Sequence, residues 1–159
     1  MFAIRRGADA VLLLAALFTD ACDSTGPDTR RLFLEELARQ EAIWADVGPA
    51  SYTIQMTHRC NCPDSANVRV AVTNDVVLSG VHVASGIELT TAELLARHTV
   101  NDLFDVARDA LSRGVASLTI SYDPEYGFVN LLLVDYDAGR STDDILITVE
   151  DFVEGAGEP

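Results

Sequence analysis

Twice along this chain an apolar pattern recurring every three to four residues gives way to one recurring every second residue, and few folds are open to a chain built that way. Between about residues 29 and 45, Leu34, Leu37 and Ala38 fall at helical spacing, with Glu35, Glu36, Arg39 and Glu41 on the other side. Ile43-Trp44 close the segment and Gly48-Pro49 stop it. Trp44 reads as a core anchor in preference to a ligand-stacking ring. Tyr52, Ile54 and Met56 then alternate with Thr53, Gln55 and Thr57, the pattern of a half-buried strand. Val68, Val70 and Val72 alternate in a second strand, Asn74-Asp75 mark a tight turn, and residues 76–83 return as a third.

The second half begins ambiguously. Thr90 and Glu93 have the spacing of a capping box for a short helix, and the same stretch suits a surface loop. Thr99 opens a clearer helix, with Asp102 near its positive end. Leu103, Val106, Ala107, Ala110 and Leu111 form an amphipathic stripe that ends at Gly114. Strands follow at 116–122, 128–136 and about 145–149; the middle one is almost wholly apolar, which predicts a central strand covered on both faces. The expected fold is α+β: an antiparallel sheet of about six strands with helices packed on one face, in the order α-βββ-α-βββ. One domain spans residues 29–153, followed by a flexible tail at 154–159, and the shared order of the two halves suggests a duplicated unit.

Residues 1–21 follow a different logic. Arg5 and Arg6 precede the apolar run Val11 to Phe18, and Thr19-Asp20-Ala21 lead to Cys22, the layout of a secretory signal peptide. The run falls well short of the ~20 residues needed to span a bilayer. With Ala21 before it, Cys22 makes the segment resemble a bacterial lipoprotein signal; the resemblance implies cleavage before Cys22 and a lipid on its sulfur, and the polar residues that follow read as a tether over 22–28. Plain secretion by cleavage at the same bond is the alternative. The expected location is the bacterial cell envelope, with the lipid on Cys22 holding the chain to a membrane.

Acidic residues outnumber basic ones 25 to 11, for a net charge of −14. That balance argues against a nucleic-acid partner. Every basic residue is Arg, so Schiff-base lysines and phosphate-loop lysines are excluded. The sequence has no Gly-x-Ser-x-Gly elbow, His-Glu-x-x-His pair or Gly-rich phosphate loop, and no catalytic residue or cofactor is expected.

A series of features in order carries a family resemblance: Trp44 with Ser51-Tyr52, Cys60-Asn61-Cys62-Pro63, the Val-rich strand, residues 99–104, Tyr122-Asp123-Pro124-Glu125-Tyr126-Gly127, and Asp143-Asp144. Over most of residues 40–152 the chain is similar to the bacterial lipoproteins of domain-of-unknown-function family 6174. The resemblance implies location and fold, and no activity.

Three groups of residues are candidates for chemistry. If Cys22 carries lipid, Cys60 and Cys62 are the remaining thiols in an oxidising compartment, and a turn at Asn61-Cys62-Pro63 brings them within disulfide reach. A soft-metal site for Cu(I) with His58, a redox-exchange pair and free thiols are the other readings. Asp135, Asp137, Asp143 and Asp144 form an acidic loop that departs from the helix-loop-helix calcium pattern and reads first as a solvated hairpin. Tyr122, Asp123, Glu125 and Tyr126 are either an interaction loop or plain turn chemistry. The expected function is a non-catalytic module that binds an unknown envelope protein or component; inhibition of an envelope enzyme is a further alternative.

Overall fold

The computed structural model describes residues 26–62, 65–140 and 142–155. Residues 1–21, read as a signal peptide, and Cys22, the expected lipid site, lie outside the described residues.

The chain runs α1 (Pro27–Val47), β1 (Ser51–Arg59), β2 (Ala66–Thr73), β3 (Val76–His82), α2 (Thr91–Leu95), α3 (Val100–Arg113), β4 (Ser117–Tyr122), β5 (Val129–Asp135) and β6 (Ile145–Glu154). Helix α1 starts two residues before the expected point, because Pro27 supplies the fixed φ and the absent N–H that suit a first helical position. Its buried face also differs from the expected one. Leu37 and Trp44 are buried with Phe33 packed beside them, while Leu34 is 39% exposed and Ala38 faces solvent. Trp44 fixes that rotation. Its ring meets Tyr52, Phe128 and Phe152 edge-on at 5.4, 5.9 and 6.1 Å, and its Nε1 donates to Asn101 Oδ1 at 3.1 Å.

The helical reading of Thr90 and Glu93 holds: Thr90 accepts from the Glu93 N–H, and the Glu93 carboxylate returns a bond to the Thr90 N–H. Thr99 and Asp102 close the same reciprocal cap on α3. Helix α3 ends at Gly114, whose φ of 69° lies in the left-handed region.

The six strands form one antiparallel sheet in the order β3-β2-β1-β6-β5-β4. Two meanders are thus joined through β1 and β6, where Met56 faces Val149 and His58 faces Ile147. The meanders keep the same order across the sheet but run in opposite directions, so a symmetry operation relating them would carry one helix to the opposite face. Helices α1 and α3 instead touch and bury side chains in one core. The shared element order is therefore not a structural repeat.

Ile54, Val70, Leu132 and Val134 from alternate strand positions meet Leu37, Leu103, Phe104 and Ala107 from the helices in that core. Burying each large aliphatic side chain contributes roughly 1.5–3 kcal/mol. Strand β5 lies one place in from the β4 edge, and only its inward residues are covered; Leu133, on the other face, is 41% exposed. The expectation of cover on both faces is corrected accordingly. A nearly continuous apolar run resembles a strand buried twice over, but here its second face meets no packed layer.

Candidate functional site

The candidate site lies at the end of the sheet where β1 finishes and β6 begins. His58 has the same strand parity as Tyr52, Ile54 and Met56, so it extends the core face to the sheet's rim, where it is half-buried. Beyond Arg59 the chain bends, and Cys60 and Cys62 come to disulfide distance with Cα atoms 5.2 Å apart. The Ser65 N–H donates to the Cys62 carbonyl at 3.3 Å, and the Ser65 hydroxyl donates to the His58 carbonyl at 3.2 Å, closing the loop on its strand. The sulfurs and a His58 ring nitrogen lie within 4.8 Å of one another.

His98 approaches from the other side, with its ring centroid 5.9 Å from that of His58. It directly precedes the Thr99 cap, so the same bond that starts α3 fixes its backbone. Between α3 and the starts of β6 and the β5–β6 loop runs a groove of about 450 Å³. Val106, Tyr136, Ile145 and Ile147 line it with apolar surface, His58 and His98 form one end, and Asp102, Asp105 and Asp109 edge it along α3.

Each carboxylate on that edge has a partner. Asp102 accepts from the Thr99 N–H at 2.7 Å, Asp105 pairs with Arg108, and Asp109 holds Arg113 at 2.8 Å. The Arg113 guanidinium stands 6.0 Å from the Tyr136 ring centroid, and burial raises the Tyr136 hydroxyl above its ordinary pKa. Sequence reasoning identified His58 but missed the groove and the part played by His98. The signal available was the acidic row at 102, 105 and 109, which helical spacing places on one side of α3.

The other candidates fall elsewhere. Asp135, Asp143 and Asp144 gather with carboxylate oxygens within 4.8 Å, and the Oδ1 of each is buried without a hydrogen-bond partner among the described residues. Asp137 does not join them: it accepts from the Gly139 N–H at 3.0 Å and faces Arg140 at 3.7 Å. In the β4–β5 turn, Asp123 Oδ1 accepts from the N–H groups of Glu125 and Tyr126 at 2.9 and 2.8 Å. Tyr126 packs on Phe152 at 4.7 Å and donates to Glu154 at 2.6 Å, a bond that raises its hydroxyl to about 12. Tyr122 is half-buried, so Pro124 and Glu125 are the residues this turn presents most openly to solvent.

A family described as being of unknown function, DUF6174, matches residues 36–154. The chain belongs to that family. The DUF6174 match begins within α1 and ends with β6, so it takes in the whole sheet, the disulfide loop and the groove. No curated protein and no solved structure matches the chain.

Proposed function

We propose that this DUF6174 protein is an exported bacterial lipoprotein, anchored through lipid on Cys22, that acts in the cell envelope as a non-catalytic binding module. The order of Arg5-Arg6, the apolar run and Ala21-Cys22 supports the address. The three helices pack over a single sheet face, and the groove beside α3 is the binding site.

The observation that carries the binding reading is the makeup of that groove: a mainly apolar floor from Val106, Tyr136, Ile145 and Ile147, rimmed by ionisable side chains that can orient a ligand. Three carboxylates, two of them paired with Arg108 and Arg113, still leave its edge net negative, within a chain of net charge −14. The favoured ligand is a small, partly apolar molecule or peptide end bearing a cationic group. Titrating the isotope-labelled protein with a series of alkylammonium ions tests this. Amide shifts should concentrate at Val106, Tyr136 and Ile145 and strengthen with chain length. Shifts scattered over the acidic surface, or insensitive to chain length, would contradict a groove. In cells, the Cys22→Ser protein should leave the detergent-rich phase for the aqueous one; unchanged partitioning would refute the anchor.

A further inference from the structure

We propose that opening the Cys60–Cys62 disulfide unmasks a site for monovalent copper built from the two cysteine thiolates and the His58 imidazole. The inference does not depend on the groove's ligand.

Metal–ligand bonds of roughly 2.0–2.3 Å require donor atoms no more than about twice that distance apart. The two sulfurs and the His58 nitrogen, within 4.8 Å of one another, reach that spacing after small side-chain rotations. The backbone already holds the three in place. His58 is paired in the sheet to both Ala66 and Ile147, and the Ser65 bonds tie the cysteine loop back to it. Two thiolates and one imidazole form a soft, three-donor set, which selects Cu(I) over zinc, whose structural sites are almost always four-coordinate.

The site is latent in the disulfide form because neither sulfur carries a thiolate. Cys62 is exposed and Cys60 half-buried, so a dithiol reductant reaches Cys62 first. Its thiolate attacks the Cys62 sulfur and Cys60 leaves as thiolate; the second thiol of the reductant then resolves the mixed disulfide. The Cys60–Cys62 bond is broken, the reductant becomes a disulfide, and two electrons and two protons pass to the cysteines. Cu(I) then displaces both thiol protons to solvent and keeps its oxidation state.

Anaerobic titration of the full lipid-anchored protein in detergent, with Cu(I) presented against a chromogenic copper(I) chelator, tests the proposal. After phosphine reduction the protein should take up one copper per chain, and before reduction none. Loss of an outer-shell partner already costs about 10–100-fold in metal affinity, so Cys62→Ser should weaken uptake by at least about 100-fold and His58→Gln by at least about 10-fold. Alkylating the reduced wild-type protein should abolish uptake, which covers a variant that fails to fold. X-ray absorption should show copper with two sulfur neighbours and one nitrogen. Equal uptake by the unreduced protein, retained affinity in Cys62→Ser, a sulfur-free copper spectrum, or zinc held as tightly as copper would each overturn the proposal.

Discussion

Removing one oxygen atom should destabilise this domain at Tyr52 and stabilise it at Tyr122. Tyr52 is 2% exposed, and its hydroxyl oxygen accepts the Val100 N–H at 3.0 Å. Val100 is fully buried and is the first residue of α3, so this N–H is one that the helix cannot satisfy itself. Tyr52→Phe keeps the ring, its stacking on Phe152 at 5.6 Å and its edge contact with Trp44, and leaves that donor stranded. An orphaned buried N–H costs about 1–3 kcal/mol. The Tyr122 hydroxyl is also buried but has no hydrogen-bond partner among the described residues, and burial raises it to about 12. Tyr122→Phe removes a desolvated polar atom without breaking a bond, a gain of about 0.5–1 kcal/mol. With a urea slope of about 2 kcal/mol per molar, the unfolding midpoint should fall by about 1 M for Tyr52→Phe and rise by up to about 0.5 M for Tyr122→Phe. Midpoints that move in the same direction for both variants would refute the hydrogen-bond reasoning.

The Thr90 hydroxyl and backbone N–H pull the Glu93 carboxyl down to about 2, with His82 adding to the effect. Because the folded value lies below the unfolded one, the stabilisation is fully present above the ordinary carboxylate range and is lost as pH falls through about 2. A carbon-detected NMR titration should place Glu93 near 2 in the native protein and move it toward 4.5 in Thr90→Val; an ordinary value in the native protein would contradict the cap. A Cβ at Gly80 would stand 2.8 Å from Leu89 Cδ1, 2.9 Å from Val70 Cγ1 and 3.0 Å from the Arg69 carbonyl oxygen. Gly80→Ala should therefore cost about 1–3 kcal/mol and lower the calorimetric midpoint by roughly 3–10 °C, whereas an unchanged midpoint would show that β2 and β3 accommodate it.

The elements that local chemistry dictates were legible in the sequence. The switch from helical to alternating period located the strands, and the Thr99–Asp102 spacing located the start of α3. What depended on distant partners was not. The buried face of α1 follows Trp44 into the aromatic cluster with Tyr52, Phe128 and Phe152, and nothing within residues 29–45 records where those rings lie. The pairing of β1 with β6 joins distant parts of the domain in a way that no local pattern encodes, and Leu133 on the outward side of β5 is exposed because no packed layer among the described residues covers it. The same holds for the site. Cys60 and Cys62 are close because they are two residues apart, whereas His58 meets His98 only because the end of β1 and the cap of α3 converge.

Peptide mass spectrometry of the protein isolated from its native membrane tests the central claim, residence in the envelope on a lipid anchor. The N-terminal peptide should begin at Cys22 and carry diacylglyceryl mass on its sulfur. A peptide that retains Met1 with an unmodified Cys22 would contradict the account, and would return Cys60 and Cys62 to a compartment where thiols stay reduced.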